Sequence, residues 1–158
     1  MSSRDKTSAI FKPGTTLAIP MKLGGYCFAV VCPGPDCAFF LFRGETEVPP
    51  PDLVQKEIAF RVFVAKDAPT VGGWKNVGVA TLSGRLTAYQ EYLHRPVGAV
   101  EIYALCRGER RMIGAMEAAS LELAATWFSP HIEERLEDCL KNRPNAYVTA
   151  MRRQAGVN

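Results

Sequence analysis

The most reactive side chains in this 158-residue sequence belong to its cysteines and two histidines. The cysteines are odd in number and form no Cys-x-x-Cys pair: Cys27, Cys32, Cys37, Cys106 and Cys139. The first three are five residues apart, so on a regular strand neighbouring members would face opposite sides of a sheet. Because a closed zinc site needs four converging ligands, we predict neither a metal nor a cofactor. A cysteine nucleophile paired with His94 or His131 stays open, since such partners meet only in the folded chain.

Acidic side chains form the second group that could do chemistry or bind a partner. On a predicted C-terminal helix, the spacing of Glu134, Glu137 and Asp138 predicts one exposed acidic strip. Three further acids lie beside three consecutive prolines, which predict a loop or a stiff extended segment: Glu45, Glu47 and Asp52. Both groups are either solvated surface or a docking surface for a basic partner, because charge of one sign accelerates encounter. A hydrolase that uses a carboxylate pair is a further alternative.

Trp74 follows two glycines and has two interpretations. It either closes one end of a sheet as part of the core or anchors a contact with a partner, as exposed tryptophans often do. Closure of the sheet is the favoured interpretation, and the partner contact is kept as the alternative.

Motifs and charge together favour a binding protein over an enzyme. The sequence contains no Gly-x-Ser-x-Gly elbow, phosphate loop, His-Glu-x-x-His helix or dinucleotide fingerprint. Net charge is +3, from 19 basic and 16 acidic residues, without a long basic stripe, so we predict no nucleic-acid partner. The aromatic run Phe39–Phe42 nevertheless leaves a β-rich nucleic-acid or peptide adaptor as an alternative.

The organisation of the chain predicts one domain in the cytoplasm. Free cysteines without pairing are typical of a reducing compartment, and neither a signal peptide nor a run long enough for membrane insertion is evident. We predict a flexible lead-in over residues 1–12, a single domain over 13–150 and a frayed tail over 151–158. The sequence leaves open whether the protein is a homo-oligomer.

Strand signals precede helix signals along the chain. Alternation over Ile58–Lys66 predicts a strand, and further strands are predicted before it and after it. Residues Leu86–Leu93 suggest a short helix, and Met116, Ala119, Leu123 and Trp127 recur at helical spacing. Pro130 and the stripe of Ile132, Leu136 and Leu140 predict a last helix that Pro144 ends. The order predicts an α+β fold: a curved antiparallel sheet or partial barrel of about five to seven strands, covered by two C-terminal helices.

Three stretches in this order resemble immunity protein 26 of bacterial polymorphic toxin systems. The first is Lys12–Val31, with Lys-Pro-Gly-Thr-Thr at its start and Gly-Gly-Tyr-Cys-Phe near its end. The second combines Ile-Ala-Phe-Arg-Val-Phe-Val at 58–64 with Gly-Trp-Lys-Asn-Val-Gly at 73–78, and the third is Ile-Glu-Glu-Arg-Leu at 132–136. The resemblance implies a protein that neutralises a cognate toxin by tight binding, without a reaction or a cofactor. It transfers no toxin-contact residue onto this chain.

We therefore expect an immunity protein that occludes a cognate protein toxin. The candidate contacts are Glu45, Glu47, Asp52, Trp74, Glu134, Glu137 and Asp138.

Overall fold

The computed structural model describes residues 11–157, which form nine strands and four α-helices. Residues 1–10 of the predicted lead-in lie outside the described residues. The strands are β1 Thr15–Pro20, β2 Tyr26–Val31, β3 Cys37–Phe40, β4 Ile58–Val64, β5 Lys75–Val79, β6 Tyr92–His94, β7 Ile102–Cys106, β8 Glu109–Ile113 and β9 Thr126–Trp127. The α-helices are α1 Ala68–Gly72, α2 Ala115–Ser120, α3 Ser129–Leu140 and α4 Ala146–Gln154. Short 3-10 turns cover Leu53–Gln55 and Gly84–Leu86.

A six-stranded sheet in the order β5-β1-β2-β3-β4-β9 forms the centre of the fold. Its neighbours pair antiparallel except β4 and β9, which run parallel. Strands β2 and β3 are buried along nearly their whole length, because both sheet faces are covered. The α+β prediction is confirmed, but the sheet is mixed and open, and it does not close into a barrel.

The two faces of this sheet pack against different parts of the chain. On one face, Phe39 and Val62 pack beneath the C-terminal helices, with Ile132 and Leu136 of α3 fully buried and Val148 of α4 beside them. The predicted cover of C-terminal helices is therefore confirmed. The opposite face packs against the irregular segments around Leu53 and Leu86.

A second sheet has three antiparallel strands in the order β6-β7-β8. Residues 121–127 connect the two sheets as a strap: Leu123 pairs in parallel with Leu93 of β6, while Thr126 and Trp127 pair with the end of β4. The nine strands exceed the predicted five to seven, because β6 and β9 lie in segments whose apolar spacing is helical.

Two predicted helices are wrong in type or extent. The first, over Leu86–Leu93, is replaced by a 3-10 turn and strand β6, because Leu93 pairs with Ala104 and bonds to the strap. The second ends at Ser120, and Trp127 lies in β9. Backbone pairing to other strands, later in the chain for β6 and earlier for β9, overrides the local helical spacing in both segments.

The predicted frayed tail is also wrong for residues 151–157. Helix α4 continues to Gln154, and Val157 is 7% exposed. The reason is an anchor that the sequence pattern does not show: the Arg152 guanidinium donates hydrogen bonds to the carbonyl oxygens of Ala118 and Leu121, at 3.2 and 2.9 Å. Arg95 likewise donates to the Ala155 carbonyl at 3.0 Å.

Candidate functional site

The acidic, proline-rich segment is a loop fastened at both ends. At its start, Gly44 and Tyr26 exchange backbone hydrogen bonds of 2.8 Å, and at its end Leu53 is buried in the core. Between these anchors Glu45 is exposed, and Val48 is 72% exposed. A loop held in this way presents its side chains at little additional cost in conformational entropy on binding.

The charges of this loop lie beside the edge of the large sheet. The Glu47 carboxylate forms an ion pair of 3.0 Å with Lys75 at the start of β5, and this contact raises the pKa of Lys75. Asp52 pairs loosely with Lys56, at 3.7 Å. Both pairs lie at the surface, where such contacts contribute little to stability, and Asp52 is exposed while Glu47 is half-buried with its Oε2 against Lys75. We define residues 45–52 together with Lys75 as the acidic loop surface.

The predicted acidic strip on α3 is largely buried, and the prediction of one exposed side is wrong for two of its three members. Glu137 is 8% exposed and pairs with Arg43, while Asp138 is 6% exposed and bonds to Arg143 and to Asn145 at 2.8 Å. Glu134 alone is exposed. The three share a side of the helix as predicted, but partners from other segments cover that side.

Asp138 joins α3 to α4. Burial would raise the pKa of its carboxyl, but hydrogen bonds from Arg143 and Asn145 more than offset this and hold the pKa below its usual value. Asn145 in turn caps α4, because its side chain accepts from the Val148 N–H at 2.9 Å. Asp138 therefore organises the turn between the helices.

Trp74 lies in the core. Its side chain is 7% exposed and meets the Phe39 ring edge-on, with 5.9 Å between ring centroids. Gly72 permits this packing, because a Cβ there would lie 2.3 Å from the Trp74 Nε1. Of the two interpretations of Trp74, closure of the sheet is the one that its packing matches.

The buried thiols are poor nucleophiles. Burial raises the pKa of Cys27 to about 12 and also raises that of the fully buried Cys37, so both are thiols at neutral pH. His131 stacks on Tyr147 with 4.1 Å between ring centroids, and His94 lies on β6. These positions favour a packing role for Cys27, Cys37 and His131.

A buried ionic network, which the sequence did not reveal, connects the two sheets. Arg61 of β4 donates to both carboxylate oxygens of Asp36, at 2.7 and 3.0 Å, and the Tyr92 hydroxyl also donates to Asp36. Asp36 is 1% and Arg61 6% exposed. Arg61 and Tyr92 lie on different sheets, so the network fixes the position of β6 against β4.

Asp36 and Tyr92 of this network line a cleft of about 320 Å³ between the sheets. The walls are aromatic and aliphatic, with Arg107 at the mouth: Phe63, Tyr89, Tyr92, Leu105 and Arg107. Both Asp36 oxygens already accept hydrogen bonds, three in total from Arg61 and Tyr92, so the carboxylate serves the network between the sheets. The one feature of the sequence that could have drawn attention to this network is Asp36, an acid placed directly after Pro33-Gly34-Pro35.

Other classes of site find no support in the described part of the chain. Residues 11–157 contain no group of three or more His, Cys, Asp or Glu side chains that could hold a metal ion. Within the same residues, no helix is both long and apolar enough to cross a bilayer.

Comparison of the sequence with known proteins identifies the family of this chain. The family model for immunity protein 26 matches residues 12–92, just over half of the 158 residues. The matched segment runs from the start of β1 to the first residue of β6 and includes the acidic loop surface, Asp36 and Arg61. No curated protein and no solved structure matches the chain. The extent of the family match shows that the chain belongs to the immunity protein 26 family.

Proposed function

We propose that this protein neutralises a cognate bacterial protein toxin in the cytoplasm by binding it and occluding its active surface, without catalysing a reaction. The observation that carries the proposal is the family match over residues 12–92. An immunity protein implies a toxin as its partner. Tight binding is then the whole of its action, and it needs a rigid surface and no reactive group.

The acidic loop surface is the best candidate for the contact. Glu45 and Glu47 are held on a loop with fixed ends, and the exposed Val48, directly after Glu47, adds an apolar residue beside them. Carboxylates around an apolar residue favour a basic partner with an apolar spot, since charges steer the encounter and buried apolar contacts give affinity. Because exposed charges are screened by ions, added salt should slow association at this surface.

The remaining predicted contacts divide by burial. Asp52 and Glu134 are exposed and stay in the proposal as peripheral contacts. Trp74, Glu137 and Asp138 are buried, so we propose that they act on toxin binding only through the scaffold.

A co-expression assay tests the proposal. The toxin domain encoded next to this gene is expressed in a sensitive bacterium with or without this chain, and colony survival is counted. We expect the chain to restore growth and to co-purify with the toxin domain. Continued killing at equal expression of folded chain would refute the proposed function.

Reversing the charges of the acidic loop surface tests whether this surface contacts the toxin. Glu45→Lys with Glu47→Lys should weaken toxin binding at least about tenfold and slow association at low salt. The free energy of unfolding should change little, because Glu45 is exposed and Glu47 belongs to a surface ion pair with Lys75. Glu57→Lys is the matched control, since Glu57 is an exposed acid outside the acidic loop surface. Equal affinity of the double variant and the control would exclude this surface.

A further inference from the structure

Among residues 11–157, nothing covers the outer edge of strand β8 in the small sheet. It pairs with β7 over its whole length, from Cys106 opposite Glu109 to Ile102 opposite Ile113, and lies last in the sheet order. Four of its five residues are exposed, and it contains neither glycine nor proline. An edge of this kind presents unpaired backbone groups to another chain.

The hairpin register identifies which backbone groups are free. The β7–β8 turn is the two-residue Arg107-Gly108, with positive φ at both residues, so Cys106 and Glu109 form a hydrogen-bonded pair. Hydrogen-bonded and non-bonded pairs then alternate, and the N–H and C=O groups of Arg110 and Met112 point away from β7. The same alternation predicts that Leu93 points outward from β6, and Leu93 N–H does bond to the strap at Glu122.

The other sheet edges of the described residues are protected. Strand β6 is covered by the strap, β9 has two residues, and in β5 the Gly78 N–H is occupied by the Asn76 side chain at 3.1 Å. Within residues 11–157, no group bonds to the outward backbone of Arg110 or Met112 from beyond the hairpin. Strand β8 is thus the edge most open to strand addition.

The side chains beside this edge select an acidic partner. Arg110 lies over the Tyr103 ring at 4.5 Å and Arg107 over the Tyr89 ring at 4.3 Å, and neither forms an ion pair with the described residues. Arg111 is different, because Glu91 and Glu117 already pair with it. The one acid of β8, Glu109, lies at its turn end, so the positive charge without an ion pair belongs to Arg110 and Arg107. A second copy paired with Arg110 opposite Arg110 would place like charges together, which opposes self-pairing in that register.

We propose that β8 accepts an extended acidic segment of the toxin as a fourth strand of the small sheet. Backbone bonds form to Arg110 and Met112, a carboxylate of the added strand lies opposite Arg110, and an apolar side chain two residues away covers Met112, which is 66% exposed. This inference rests on the proposed function, and its contact is separate from the acidic loop surface.

Proline substitution tests the backbone contact selectively. Met112→Pro removes an outward N–H and leaves the β7–β8 hydrogen bonds intact, as edge strands tolerate. Met112→Ala is the matched control, because it shortens the side chain but keeps the N–H. Binding to the toxin domain encoded beside this gene is measured by calorimetry, and the fold of each variant by circular dichroism.

We expect Met112→Pro to weaken binding at least about tenfold and Met112→Ala by less than about threefold. Arg110→Glu should also weaken binding at least about tenfold, and it tests the same edge if the proline variant fails to fold. Hydrogen exchange should show the amides of Arg110 and Met112 protected only in the complex.

Unchanged affinity of folded Met112→Pro, or of Arg110→Glu, would overturn strand addition while leaving the proposed function intact. No binding by the unmodified chain would overturn both. A dimer of the unmodified chain that Met112→Pro dissociates would assign the edge to self-association and also overturn the inference.

Discussion

Removing the Asp36 carboxylate should destabilise the fold more than removing any exposed acid. In Asp36→Ala the Arg61 guanidinium, only 6% exposed, loses two hydrogen bonds and its counter-charge, and the Tyr92 hydroxyl loses its acceptor. Breaking a buried ion pair by removing one partner costs about 3–5 kcal/mol. Because domains are stable by about 5–15 kcal/mol, this is a large fraction of the total.

Three further variants separate the contributions of the hydrogen bonds and of the buried charge to this loss of stability. Tyr92→Phe removes one hydrogen bond to the carboxylate and should cost about 1–3 kcal/mol. Asp52→Ala removes an exposed acid whose ion pair spans 3.7 Å, so it should cost no more than about 1 kcal/mol. Combining Asp36→Leu with Arg61→Met removes both charges and should be less destabilising than Asp36→Ala alone, because no charge stays buried without a partner.

Urea unfolding followed by tryptophan fluorescence measures these differences. Trp74 and Trp127 are 7% and 1% exposed, so their emission should shift when the core opens. Asp36→Ala should lower the urea midpoint and leave the slope unchanged. If the free energy of unfolding of Asp36→Ala lies within about 1 kcal/mol of that of the parent chain, or if the double variant is less stable than Asp36→Ala, the buried ion pair does not stabilise the fold in this way.

Three other perturbations have definite expected outcomes. Burial raises the pKa of Cys27 from 9.0 to about 12, so the stability that the neutral thiol contributes should be lost as pH rises from about 9 to about 12. Over this range the urea midpoint should fall less steeply with pH in Cys27→Ala than in the parent chain. Parallel slopes for the two chains would contradict this. Asp138→Asn should lower the free energy of unfolding by about 1–3 kcal/mol at neutral pH. The difference in thermal midpoint between this variant and the parent chain should shrink as pH falls through the lowered pKa of the Asp138 carboxyl. A difference that does not depend on pH would contradict this. Gly72→Ala places a Cβ 2.3 Å from the Trp74 Nε1 and should lower the free energy of unfolding, measured in urea, by about 1–3 kcal/mol. Gly114→Ala is the control, because a Cβ there meets nothing within 4 Å. Equal stability of the two variants would show that the Trp74 side chain moves aside freely.

Elements with a strong local pattern could be predicted from the sequence. Strand β4 agrees with the predicted Ile58–Lys66 to within two residues, because its alternation matches a pleated strand. Helix α3 agrees because Ile132 and Leu136 lie on one apolar side and Pro130 suits the first turn. In both, local preference and tertiary packing favour the same conformation.

The remaining elements depend on residues distant in sequence. Leu123 and Trp127 have helical spacing, yet they pair through the backbone with strands β6 and β4. No pattern within residues 121–127 predicts this pairing. Glu137 and Asp138 are spaced as an exposed strip, but their partners lie on other segments. Arg61 and Asp36 are 25 residues apart, so neither type nor spacing predicts the pair.

Calorimetric titration of the purified chain into the toxin domain encoded beside its gene shows whether this protein acts by binding a toxin. We predict one-to-one binding with a Kd of about 1 nM or tighter and loss of toxin activity at the same stoichiometry. Toxin activity that persists with the chain in excess, or no measurable heat and no complex by gel filtration, would contradict the claim.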